Sequence, residues 1–140
     1  HEKLDGTGYY RGLKGEEIPF LSRIIAVADV FDALTSVRHY RNRMPVEKVA
    51  EILESGKGNH FDKKCVDTFN RMPCDRVLMV MESERERTAS EDLSIFKHIS
   101  WQRLVEIVSG SKPKRGEDGV KESFDKLYNF GLPENYKALD

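Results

Sequence analysis

The chain has 140 residues, 39% hydrophobic and 34% charged, with a net charge of -1 at neutral pH. That balance supports one modest core and excludes the positive field that nucleic acid or an acidic membrane surface would require. Cys65 and Cys74 are the only cysteines and fit no Cys-x-x-Cys spacing; reduced core thiols, a cytoplasmic location and no membrane segment in this chain are therefore expected.

The first 17 residues read as a loop studded with Gly6, Gly8, Gly12 and Gly15. Glycines tolerate positive φ and close backbone approach, so such a loop can fold over a ligand and turn amide N–H groups toward an anion. Glycine-rich surface turns are common, and these residues taken alone favour an ordinary turn over an anion site. From Pro19 to Ser36 the sequence predicts a helix whose apolar residues occupy nearly every face, as if it were core. Asp29 and Asp32 interrupt it one turn apart. A buried carboxylate is costly unless paired or metal-bound, so Asp29 is expected to bind metal, to cap a neighbouring helix, or to pair with Arg23 or Arg38. Asp32 is read as structural.

A basic connector follows, with Arg38 and Arg41 at i and i+3 and Arg43 just beyond. Two guanidiniums so spaced can clamp phosphate oxygens, and the alternative is a solvated charge cluster that includes Arg43. Pro45 suits the first turn of a helix to Ser55 whose apolar face is Val46, Val49, Ile52 and Leu53. A turn over 56–61 leads to a helix capped by Asp62 and ending at Arg71. The apolar strip Val77–Met81 fits strand or helix by pattern, and helix is favoured by its surroundings. His60 reads as a turn residue, His39 and His98 as surface residues.

From Ser90 the composition shifts. Leu93, Phe96, Leu104, Ile107 and Val108 recur at helical intervals, predicting one or two amphipathic helices that end at Val108. The stretch from Ser109 to Gly116 reads as a mobile loop, and a last helix should run from Val120 to Phe130 before a tail. Trp101, with Phe96 and Phe124, is expected to pack rather than to bind a ligand.

Residues 1–70 closely resemble the HD-GYP family, bacterial phosphodiesterases of cyclic di-GMP within the HD superfamily. The likeness rests on His-Glu-x-x-Asp-Gly-x-Gly-Tyr from His1 to Tyr9, on Gly12-Leu13-Lys14-Gly15, and on Ile25-Ala26-Val27-Ala28-Asp29-Val30-Phe31-Asp32-Ala33-Leu34-Thr35. The pair Arg38 and Arg41 and the turn Gly58-Asn59-His60-Phe61-Asp62 complete it. Several long motifs at fixed spacing are far more specific than a lone glycine pattern.

The resemblance implies an all-α fold, a helical bundle fragment of the HD superfamily with additional C-terminal helices. It divides the chain into residues 1–75, the C-terminal part of an HD-GYP domain, and residues 76–140, a helical appendix. It makes His1 and Asp29 metal ligands, Arg38, Arg41 and Tyr9 the contacts to substrate phosphate, and Asp5, Gly6 and Gly8 supporting loop residues. The cofactor implied is a divalent metal, iron or manganese, with two or three ions in the intact domain. The catalytic lysine, the His-Asp doublet and another histidine or glutamate ligand would lie upstream, so this chain is expected to be a piece of a longer enzyme and to bind catalytic metal weakly or not at all alone. The partner implied is cyclic di-GMP, cut to pGpG or GMP; other signalling proteins at the loop and a homodimer are left open.

Tyr10 departs from the family, standing where a proline completes Gly-Tyr-Pro. The change removes a φ constraint and restores a backbone donor. It is the feature that favours the alternative reading, a non-catalytic signalling module that binds a cyclic dinucleotide or a partner protein through this loop.

Overall fold

The computed structural model describes residues 6, 13, 18–36, 43–82 and 93–129. His1, Asp5, Gly8, Tyr9, Arg38 and Arg41 lie outside them, as does His39. Among the described residues the fold is all-α: α1 (Phe20–Thr35), α2 (Val46–Ser55), α3 (Lys63–Arg71), α4 (Cys74–Glu82), a 3₁₀ turn (Ser94–Phe96), α5 (Trp101–Val108) and α6 (Val120–Asn129).

Local chemistry sets most of these boundaries. Pro19 and Pro45 each precede a helix in extended conformation, so Pro45 occupies the N-cap rather than the first-turn position expected of it. At that position ψ is 139°, and the ring lacks only an N–H that a helix start would leave unused. Asp62 caps α3 as its sequence position suggests, accepting from the Lys64 and Cys65 amides at 2.7 and 3.3 Å. Between α2 and α3, Gly56 lies so close to Phe61 that a Cβ would meet its ring at 2.5 Å. The apolar strip 77–81 is helical, within α4.

One core joins all six helices. Leu53, Val66, Leu78, Leu104, Val120 and Phe124 are buried in it, with Trp101 at the centre. Cys65 and Cys74 are free thiols within this core, and burial pushes both upward in pKa, Cys74 to about 12. Phe96 and Phe124 pack with Trp101 into the same interior.

Three expectations change. The helix predicted to be apolar on nearly every face is buried only along Val27, Phe31 and Thr35. Phe20, Leu21, Ile24 and Ile25 are 42–66% exposed, because α2 and α3 pack against α1 along its other side. The amphipathic run from Leu93 is broken at Ser100, which pairs with Pro73 in an isolated bridge and caps α5 by accepting from the Arg103 amide at 3.0 Å.

The third concerns the stretch after Val108, read as mobile, which is tied down. Arg103 in α5 holds Glu117 through Nε and Nη2 at 2.7–3.2 Å and donates to the Lys112 carbonyl at 3.1 Å. The Lys114 amide donates to the same carboxylate at 2.8 Å.

The Arg103 hydrogen bonds, then that of the Lys114 amide, hold the Glu117 carboxyl at about 2, against an ordinary 4.5. A carboxyl depressed in the folded state stabilises fully above its unfolded pKa and loses that contribution as pH falls through the folded value. Glu117→Gln should therefore melt at lower temperature than the parent at pH 7, with the gap closing between pH 4.5 and about 2; calorimetric melts across that range check it.

Candidate functional site

A groove of about 910 Å³ runs between α1, α3 and α4. Along α1 its lining passes from Phe20 and Ile24 to Asp29, Asp32 and Ser36, and Phe69, Met72 and Val80 supply much of the opposite wall. The site is thus apolar at one end and carries carboxylates at the other.

Asp29 and Asp32 are both exposed. The expected burial of Asp29 does not occur, nor does pairing with Arg23. It projects from the flank of α1 that also carries exposed Leu21 and Ile25, while Phe31 anchors the opposite side. Asp32 accepts from the Ser36 hydroxyl at 3.2 Å, a local contact that matches its structural reading. The Thr35 hydroxyl is committed to the Phe31 carbonyl at 2.9 Å.

Arg23 pairs instead with Asp62, joining α1 to the capped start of α3. Burial alone would raise the Asp62 carboxyl; the Arg23 guanidinium and the Lys64 and Cys65 amides outweigh it and hold the group low. On the outer side of α3, Lys57 bridges Glu54 at 2.8 Å and Asp67 at 2.6 Å. These contacts set the spacing of α1, α2 and α3, and with it one wall of the groove.

Of the residues expected at the site, the structure describes Asp29 and Gly6. Gly6 has φ of 85°, the left-handed backbone that its place in the loop calls for. His60 and His98 are exposed. Among the described residues no three of His, Cys, Asp and Glu stand together as a metal group. Asp29 and Asp32 are the carboxylates on the groove, and the described residues do not by themselves amount to a metal site.

Arg43 was missed. Expected in a solvated cluster, it is 5% exposed and lines the groove. It donates to the Tyr128 carbonyl at the end of α6 and lies over the Tyr128 ring, 5.2 Å from its centroid. Its partner is 85 residues away in sequence, and only the apolar residues Met44, Pro45 and Val46 that follow it hinted at burial.

Comparison with known proteins bears on this region. Residues 1–65 match the family model described as HD domain. The match covers a little under half of the chain and is a similarity to that family over this part. Over 65 residues the chain is 51% identical to 3'3'-cGAMP-specific phosphodiesterase 3 of Vibrio cholerae, covering 46% of the chain and 14% of that protein. It is 48% identical over 71 residues to the cyclic di-GMP phosphodiesterase response regulator RpfG of Xanthomonas campestris, 51% of the chain and 19% of the relative. With a cyclic di-GMP phosphodiesterase of Thermotoga maritima the identity is 44% over 72 residues, 51% and 20% of the two lengths. The matched segment is therefore at most a fifth of the length of these relatives. Among the described residues of the chain no helix is long and apolar enough to cross a membrane.

Asp62→Ala would remove the cap of α3 and leave the Arg23 guanidinium, whose Nε has no partner, without its carboxylate. The expected loss is about 2–4 kcal/mol of unfolding free energy. Asp62→Asn should recover about 1 kcal/mol by restoring the cap alone, as urea titration of the three proteins would measure.

Proposed function

We propose that the intact protein is a metal-dependent phosphodiesterase that hydrolyses cyclic di-GMP to pGpG or GMP in bacterial second-messenger signalling, acting in the cytoplasm. The observation that carries this reading is Asp29, an exposed carboxylate that lines the groove within a segment similar to HD domains. The names of the relatives above supply the substrate class, and those named as 3'3'-cGAMP-specific make a mixed cyclic dinucleotide the competing substrate.

In this reading Asp29 and His1 contribute ligands to a divalent metal, iron or manganese, whose role when bound is to neutralise charge on the phosphoryl oxygens. Arg38, Arg41 and Tyr9 hold the phosphate, and Asp5, Gly6 and Gly8 shape the loop beside it. The apolar end of the groove offers Phe20 and Phe69 to the purine bases. Residues 1–75 carry this chemistry, and residues 76–140 form an appendix to it.

Tyr10 supports a second reading, in which the glycine loop binds a cyclic dinucleotide or a partner protein without hydrolysis. Anaerobic assay of the intact protein with Fe(II) or Mn(II), on cyclic di-GMP and on 3'3'-cGAMP, separates the two. Asp29→Ala should lower kcat by more than the roughly 10- to 100-fold that loss of an outer-shell partner costs. Its melting temperature should not change, since Asp29 is exposed. Asp32→Asn should lose only a few-fold, and a parent-like rate for Asp29→Ala would overturn the assignment.

A further inference from the structure

We propose that Arg43 is an anion-binding residue of the groove, its guanidinium set in place by α6 to receive a phosphate group; for a cyclic dinucleotide this rests on the function proposed above. A guanidinium withdrawn from water costs several kcal/mol unless a counter-charge offsets it. Arg23 has Asp62 and Arg103 has Glu117. Arg43 is more buried than either and has no carboxylate partner among the described residues.

What it does have fixes its position without neutralising it. One Nη donates to the Tyr128 carbonyl, and the plane lies over the Tyr128 ring. The carbonyl is near the C-terminal end of α6, where the helix dipole favours a cation. The backbone beside Arg43 is held as well: the Tyr128 hydroxyl donates to the Met44 carbonyl at 2.5 Å, and the Met44 amide donates to the Leu34 carbonyl at 2.9 Å. The second contact places Arg43 at the C-terminal end of α1, close to Thr35 and Ser36 in the groove wall.

A guanidinium carries five N–H donors. Among the described residues one goes to Tyr128, and Nε is buried with no hydrogen-bond partner. A cation so held, in a cavity that Asp29 also lines, is suited to a phosphodiester. A carboxylate end for metal and a guanidinium end for the phosphoryl oxygens would then bracket the same group. Helix α6, far from the HD motifs in sequence, thereby becomes a positioning element of the site.

Isothermal titration of the intact protein with inorganic phosphate and with cyclic di-GMP, under EDTA to prevent turnover, tests this beside thermal melts. Arg43→Met should weaken both ligands by about 10-fold or more, the size of a charge-assisted hydrogen bond. Arg43→Lys keeps the charge and should recover part of that loss. It also decides the question if Arg43→Met does not fold, with an expected weakening of about 5-fold. Affinities within twofold of the parent, with only the melting temperature lowered, would reduce Arg43 to a cap of α6 and overturn the proposal. Binding of phosphate that depends on Arg43, without binding of any cyclic dinucleotide, would uphold the anion site and refute the nucleotide reading.

Discussion

The arrangement of the molecule depends on an aromatic row that begins in α1 and ends in α6. The Phe31 ring meets Phe69 at 4.8 Å and Trp101 at 5.2 Å, the latter edge-on. Trp101 meets Phe124 at 6.4 Å, and Phe124 stacks on Tyr128 at 5.1 Å. Such pairs add roughly 0.5–1.5 kcal/mol each beyond the area they bury. Their greater consequence is geometric, since stiff rings fix four helices relative to one another. Trp101 can occupy the centre because the chain delivers it there: the Cys74 amide donates to the Ile99 carbonyl and the Trp101 amide to the Met72 carbonyl, each at 2.8 Å.

Charge is distributed around that row with a definite logic. Arg23–Asp62 closes the seam between α1 and α3, Lys57 spans α2 and α3, and Arg103–Glu117 holds the loop before α6. Each joins segments whose apolar contact alone would leave the approach angle loosely set. At the groove the pattern changes: Asp29 is exposed, and Arg43 meets a carbonyl and a ring where Arg23 and Arg103 meet carboxylates.

Much of this was legible in the sequence. Proline before α1 and α2, aspartate before α3, and the helical spacing of apolar residues act over a few positions, where the physics is local. The resemblance to the HD-GYP family was legible for the same reason, because residues at fixed spacings are read along the chain itself. The burial of Arg43 was not, because it depends on Tyr128 arriving from the far end of the chain. Nor was the exposure of Ile24 and Ile25, since an apolar residue records only a preference for burial, and which side is covered depends on where α2 and α3 pack. The loop after Val108 looked mobile from its glycines and serines; the ion pair that restrains it joins residues 14 apart.

The orientation of Asp29 follows from packing rather than from any property of the carboxylate. Phe31 is held by Phe69 and Trp101, so α1 cannot rotate about its axis without breaking both contacts. At about 100° per residue, a side chain two positions earlier then falls on nearly the opposite side of the helix. That side is the flank with Leu21 and Ile25, and Asp29 has to emerge there, beyond the apolar stripe of Val27, Phe31 and Thr35. The same row continues to Tyr128, which holds Arg43. A single chain of ring contacts therefore sets the phase of the helix that bears the carboxylate and the placement of the cation facing the same groove. Loosening Trp101 would disturb both ends together, although it touches neither.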